Sequence, residues 1–320
     1  ILNSNDKTVN SMSTLTQTVL VASVAVASAI GLAWYLSTNQ KRKYRYVACD
    51  MDGTLLGSDG KLAARTIKTL RELSARGVIV IIATGRDRGA IMPHVLELAL
   101  AQAHVPIVSY NGSYCFLTDG VNTTELFRAG IDKSSALEVV RYAKQIGCTV
   151  QWYDPIKTKI FAVNKSDDHN DCLQKYAELV GHGQTMLESF EHFEDLDEPC
   201  KMLLLRSVEK GGADSILTQM RSAEHAFDLS NHHVIRGSPE PFFLEMLKPG
   251  INKGNGLTRV CTHMGIDLDE VIAFGDGDND AEFLQLVGLG YAMKNAGDLA
   301  KTSANVTLEY TNDEHGVARA

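Results

Sequence analysis

Short apolar runs alternate with segments of helical spacing along most of this chain. Residues 44–50 (YRYVACD) form an apolar run that ends in acid and is followed by Gly53, which predicts a buried strand and a turn. Residues 62–76 carry apolar positions at helical spacing and stop at Gly77. Residues 78–83 (VIVIIA) are an unbroken, mostly β-branched run of the kind found in central parallel strands. A second helix is predicted over 87–101 and a third strand over 106–110. The same texture returns near the end. A helix is expected over 253–264, a buried strand over 271–274 leading to Gly275-Asp276, a helix over 280–287 and a strand over 289–293. Such β-α-β alternation predicts a doubly wound parallel sheet with right-handed crossovers.

Between 127 and 239 the texture changes. Strands over 149–152 and 201–205 mix with helices over 134–145, 168–180 and 212–223. The two halves of the doubly wound sheet flank this stretch, so it reads as a second α/β domain placed inside the first. The expected organisation is a tail over 1–43, a core built from 44–126 plus 240–320, and an insert over 127–239.

Residues 18–36 (TVLVASVAVASAIGLAWYL) carry no charge. A run of roughly 19 residues can span a bilayer. Trp34 and Tyr35 suit a membrane interface, and Lys41-Arg42-Lys43 follows. Positive charge after the span places the large C-terminal part in the cytosol. The rival reading is a cleaved targeting segment, leaving a soluble protein. Small residues around 25–29 favour it, and the absence of a basic stretch before the run counts against it. Four formal glycosylation sequons, at Asn111, Asn122, Asn164 and Asn305, agree with the cytosolic side, since a glycan on Asn111 would crowd the site described next. The numbering begins at Ile1 rather than at a methionine, with Met12 a candidate initiator.

Composition sets limits. The 320 residues are 44% hydrophobic and 22% charged, with a formal net charge of −8. No sequence-wide basic character points to nucleic acid, so attraction of an anionic substrate requires a local cation. The six cysteines are scattered without a CxxC pair, which predicts buried free thiols rather than a disulfide framework or zinc site. Apart from the adjacent His232-His233, the histidines of the insert show no metal-ligand spacing, and all read as surface residues.

Four segments carry chemistry. Asp50-Met51-Asp52-Gly53-Thr54 follows the first strand, and two carboxylates there suit a nucleophile and a general acid. Thr84-Gly85-Arg86 follows the second strand and offers a hydroxyl and a flexible backbone amide as an anion cradle. The competing role for Thr84 is a helix N-cap. Lys253 opens a helix, from which it can neutralise a phosphate. Gly275-Asp276-Gly277-Asp278-Asn279-Asp280 follows a buried strand and suggests oxygen ligands for a hard cation. An EF-hand does not fit, because Ala281 and Val287 stand where that loop needs Gly and Glu.

Taken in order, DMDGTLL, ATGR, the Asn111-Gly112 step, NKGNGL and FGDGDND resemble the motifs of the haloacid dehalogenase-like hydrolase superfamily, in its Cof-type branch. The resemblance covers residue 44 to the end. It implies a Rossmann-like core with a large α/β cap inserted between the second and third motifs. It also implies a Mg²⁺-dependent phosphatase of small phosphorylated metabolites. Asp50 matches the nucleophile that forms an aspartyl-phosphate, and Asp52 the acid that protonates the leaving oxygen. Mg²⁺ is implied at Asp50, the Asp52 backbone carbonyl and Asp276. Thr84, Gly85, Lys253 and Asn279 match phosphate-binding positions. Gly53, Arg86, Asn111 and Asp280 are supporting residues, with Asp280 orienting Lys253 or a metal-bound water. Asp278 falls at a variable position and is expected to be solvated. The closing segment at 314–318 resembles the family's last helix, which normally continues further. Two other readings use the same residues: a phosphotransferase or phosphosugar mutase sharing the aspartyl-phosphate, and a membrane-tethered, non-catalytic binding protein. Retention of Asp50, Asp52, Lys253 and Asp276 speaks against the last.

Overall fold

Valine and isoleucine build the centre of the molecule. In the computed structural model the chain runs through β1 (Tyr46–Cys49), α1 (Ala64–Ala75), β2 (Ile79–Ala83), α2 (Arg88–Leu98) and β3 (Val105–Ser109). Residues 43–155, 159–163, 167–181, 183–222, 227–237 and 241–320 are described. The apolar segment 18–36 lies outside them. Among the described residues no helix is long and apolar enough to cross a membrane.

β1 pairs in parallel with β2, and β2 with β3. Val80, Ile81, Ile82 and Ala83 are each 0% exposed, which is why this strand reads as an unbroken apolar run. Each such Val or Ile contributes about 1.5–3 kcal/mol by burial. α2 ends at Leu98, short of the expected residue 101. Ala99 turns left-handed (φ 44°), and the Arg71 guanidinium donates to the Leu98 and Glu97 carbonyls at 2.8 Å each. The last-turn carbonyls thus find a side-chain donor in place of another helical turn. β4 (Tyr114–Thr118) and β5 (Thr123–Arg128) then extend the sheet as an antiparallel hairpin. Their mixed apolar and polar residues gave no clean period in the sequence.

The chain next builds a second sheet from β6 (Thr149–Asp154), β7 (Lys159–Val163), β8 (Thr185–Leu187), β9 (Lys201–Leu205), β10 (His233–Arg236) and β11 (Phe243–Leu247). Helices α3 (Lys133–Ile146), α4 (Asp167–Val180) and α5 (Gly212–Arg221) accompany it. Its strand order is β10-β11-β9-β6-β7-β8, antiparallel except for β7 with β8. β11 belongs to this sheet although it follows residue 239, where the sequence pattern closed the insert. His232 is 7% exposed and lies against Phe227, with ring centroids 5.4 Å apart, so the surface reading fails for this histidine. The six cysteines are free and buried.

The chain returns through α6 (Lys253–Met264), β12 (Val271–Gly275), α7 (Ala281–Leu286), β13 (Leu289–Ala292), α8 (Asp298–Ser303), β14 (Val306–Thr307) and α9 (Gly316–Arg319). The first sheet is ordered β14-β13-β12-β1-β2-β3-β4-β5. β1 lies between β12 and β2, parallel to both. Strand order reverses there, and a doubly wound sheet opens its ligand crevice at that switch point, beyond the carboxyl ends of the strands.

Candidate active site

Asp50 is the first residue past β1, and its N–H donates to the Phe274 carbonyl of β12 at 2.9 Å. Its carboxylate is therefore held at the switch point with only 4% exposure. Lys253 opens α6, whose N-cap Asn252 accepts from the Asn255 N–H at 2.8 Å. The Lys253 Nζ donates to Asp50 Oδ1 and to Asp280 Oδ1, each at 2.5 Å. The other oxygen of Asp280 accepts the N–H groups of Asp276 at 2.9 Å and Gly277 at 2.8 Å. Asp280 thus fixes both the lysine and the loop after β12.

Asp276 accepts a hydrogen bond from the Thr54 hydroxyl at 2.8 Å. Gly53 makes this approach possible. It sits at φ 76°, and a Cβ there would lie 2.1 Å from Asp276 Oδ2. Gly112 serves the same purpose for α6. At φ 102° it lets the Asn252 carbonyl approach to within 2.3 Å of where a Cβ would stand.

Charge in this cluster is unbalanced. Carboxylate oxygens of Asp50, Asp276 and Asp280 lie within 4.8 Å of one another, with one ammonium among them. Burial pushes the Asp50 carboxyl up, Lys253 opposes this, and Asp280, Asp276 and Asp52 add to the rise. Burial, then Asp280, pushes Asp276 up to about 7. Burial disfavours the Lys253 ammonium, but Asp280 and Asp50 outweigh it and hold the amine above its ordinary range. An excess of buried oxygen anions fits a hard divalent cation. Asp50 and Asp276 have the donor chemistry to hold it, while Asp280 is committed to the lysine and two amides.

The remaining expected residues fall into place unevenly. Asp52 reaches the same cavity, but its carboxylate pairs with Arg86, Nε to Oδ2 at 2.8 Å and Nη2 to Oδ1 at 2.6 Å. Proton transfer to a leaving group requires it to turn from that guanidinium. Gly85 lines the cavity, whereas Thr84 is 0% exposed and its hydroxyl accepts the Arg86 N–H at 3.2 Å. The Thr84 hydroxyl thus braces the turn through its oxygen. Thr84 does not cap the following helix, because Asp87 does. The Asn111 carboxamide accepts from Asn279 Nδ2 at 2.8 Å and donates to Glu245 Oε2 at 2.9 Å. Asp278 is exposed, as expected.

Sequence reasoning named Thr54 in its motif without giving it a role, and missed Asn295, Lys201 and Glu245. The Asn295 carboxamide donates to the Gly53 carbonyl at 2.8 Å. Lys201 and Glu245 are buried polar residues inside apolar strands, which was the signal available for them. The cavity measures about 570 Å³, and its far wall comes from the second sheet and α4, including Tyr176, Leu179, Ile235, Arg236, Phe243 and Glu245.

Residues 47–320 match the haloacid dehalogenase-like hydrolase family model. A solved haloacid dehalogenase-like hydrolase from Bacteroides thetaiotaomicron is 27% identical, with a TM-score of 0.73, and covers 86% of this chain and 97% of its own. The 5-amino-6-(5-phospho-D-ribitylamino)uracil phosphatase YitU of Bacillus subtilis is 29% identical over 85% of this chain and 94% of that protein. A chloroplastic endoribonuclease of Arabidopsis thaliana, YBEY, is 30% identical over 88% of this chain, which spans only 46% of that longer protein. The chain belongs to the haloacid dehalogenase-like hydrolases, in their Cof-type branch, alongside relatives named as phosphatases.

Proposed function

We propose that the chain is a Mg²⁺-dependent phosphatase of small phosphorylated metabolites, acting through an aspartyl-phosphate on Asp50. The observation that carries this reading is the buried Asp50 carboxylate, 2.5 Å from the Lys253 ammonium and inside a three-carboxylate cluster at the sheet's switch point.

Lys253 favours the ionised, nucleophilic form of Asp50 against the cost of burial. An Asp50 oxygen attacks phosphorus, and the bond from phosphorus to the ester oxygen breaks. Asp52, turned from Arg86 and carrying a proton taken up from solvent, gives that proton to the ester oxygen. Asp52 then takes a proton from water as the water attacks phosphorus, releasing phosphate and restoring Asp50. The Gly85 amide, Lys253 and Asn279 are suited to the phosphoryl oxygens. Asp50, the Asp52 backbone carbonyl and Asp276 would hold Mg²⁺, which supplies charge neutralisation so that a carboxylate can meet a phosphate dianion. Phosphate monoesters are among the slowest substrates to hydrolyse unaided, needing up to ~10²¹-fold acceleration. Positioning plus charge neutralisation is what a protein can offer such a reaction.

The second sheet acts in this reading as a cap that shields the reacting groups and selects the leaving group. The cavity size and its mixed wall of Tyr176, Phe243, Ile235 and Arg236 suit a small metabolite, and the relative YitU is named for a phosphorylated ribityl compound. The test is phosphate release from a panel of sugar phosphates and phosphorylated cofactors with Mg²⁺, using Asp50→Asn as the comparison. Release by the natural chain and loss of at least ~10³-fold in the variant are expected. Full activity in Asp50→Asn would overturn the mechanism.

A further inference from the structure

A buried ion pair reaches the phosphate cradle from the second sheet. Lys201, the first residue of β9, is 1% exposed. Its ammonium donates to the Gly85 carbonyl at 3.0 Å, the Glu245 Oε1 at 3.2 Å and the Tyr176 hydroxyl at 3.3 Å. All three ammonium hydrogens are thereby engaged. Glu245 of β11 is 8% exposed, and its second oxygen takes the Asn111 Nδ2 at 2.9 Å. Asn111 in turn receives Asn279. One chain of polar contacts therefore runs from α4 through Lys201 and Glu245 to two residues on the cavity wall.

Asn111 needs such support. It stands at φ 52°, directly after Tyr110 at φ 49°, both left-handed and neither a glycine. Strained conformations of this kind persist only where the surroundings over-determine them. The pair is also a poor device for stability alone, because an apolar pair of similar volume serves a buried interface equally well. What charges add is direction. The cation orients the Gly85 peptide and the carboxylate orients the Asn111 carboxamide.

We propose that Lys201 and Glu245 are positioning residues that set the geometry of Gly85, Asn111 and Asn279 from the second sheet. The inference rests on the phosphatase reading of the site. Neither residue is assigned to the reacting atoms; each acts through a cradle residue.

The test compares Lys201→Met, Glu245→Gln and the double variant in the full chain. It reads thermal midpoint, kcat and KM for p-nitrophenyl phosphate with Mg²⁺, and binding of inorganic phosphate. Lys201→Met strands a buried carboxylate and lowers the midpoint. The double variant removes that uncompensated charge and recovers most of the midpoint. Its kcat/KM stays about 10- to 100-fold down, the scale of loss for a misplaced binding group, and phosphate binds correspondingly more weakly. A double variant that recovers both stability and kcat/KM overturns the proposal, as does Lys201→Met with lowered stability and unchanged kcat/KM. If the natural chain neither hydrolyses p-nitrophenyl phosphate nor binds phosphate, the phosphatase reading fails. Amide resonances then decide the positioning role. Displaced Gly85 backbone and Asn111 side-chain signals in the double variant support it, and unmoved signals overturn it.

Discussion

Replacing Lys253 by methionine removes a charge while keeping most of the side-chain volume, so the effect is electrostatic rather than a cavity. The ammonium is 1% exposed and serves Asp50 and Asp280, which are 4% and 0% exposed. Breaking a buried ion pair by deleting one partner costs about 3–5 kcal/mol. One cation here serves two carboxylates, so the upper end, about 5 kcal/mol, is expected near pH 8. The loss depends on pH with a defined sign. Burial raises the Asp50 carboxyl even in the natural chain, and Lys253 opposes that rise; without it, burial and the neighbouring carboxylates push the carboxyl higher still. A raised native carboxyl contributes stability below its unfolded value, and that stability is lost as pH rises through the raised value. The gap between Lys253→Met and the natural chain should therefore widen from pH 5 to pH 8. Urea denaturation at both pH values, without divalent cations, measures it. The variant Lys253→Met/Asp280→Asn should recover part of the loss by removing one stranded charge. A deficit below about 1 kcal/mol at pH 8, or one that does not widen, would refute this account of the cluster. Phosphate release by Lys253→Met should also fall by roughly 10²–10³, the scale for one charge-stabilising group.

Three further outcomes are expected. Because Asp276 is pushed up to about 7, it must lose a proton before serving a cation. Calorimetric Mg²⁺ affinity should then fall at least tenfold per pH unit below about 7, with at least one proton released on binding; a flat affinity between pH 5.5 and 7.5 speaks against this. The same displacement makes the metal-free fold less stable as pH rises from about 4 to about 7, since over that range the native state holds a proton that the unfolded chain has released. Gly53→Ala should cost about 1–2 kcal/mol for the left-handed backbone, and it should displace the Asp276 carboxylate, whose oxygen lies 2.1 Å from the new Cβ. Mg²⁺ titration and thermal unfolding read the two effects, and unchanged Mg²⁺ affinity is the contrary result.

The strands that carry chemistry were legible because central parallel strands are apolar on both faces and end abruptly in polar residues. Asp50, Gly85 and Asp276 were found at such ends, and the structure brings them to one cavity. Lys253 was readable through its position at a helix start. The Asp52–Arg86 pair was not, since both residues lie in loops and their meeting depends on how β1 and β2 are juxtaposed. The direction of the Thr84 hydroxyl was not legible for a related reason. A hydroxyl at a strand end can face the ligand or turn inward to cap its own loop, and one residue of phase decides between them.

The second sheet shows where hydrophobic pattern stops being informative. KMLLL of β9 and FLEML of β11 read as featureless apolar strands because both of their faces are covered. Met202, Leu204, Leu244 and Met246 pack with α3 and α5, while Leu203, Leu205 and Phe243 pack with α4 residues such as Tyr176. Period-2 alternation is present in space but invisible in polarity. The exceptions are Lys201 and Glu245, one charged residue in each strand. Register pairs Glu245 with Leu203, which puts Lys201 on the same face two residues along, a diagonal neighbour within reach of a long side chain. A slip of one residue would send the glutamate to the opposite face, into the apolar contacts of α3 and α5 and away from Lys201. The ion pair therefore selects the register of these strands as well as reaching the cradle. Fold specificity and site geometry depend on the same two charges, which is why the double variant, with stability restored, separates the two roles.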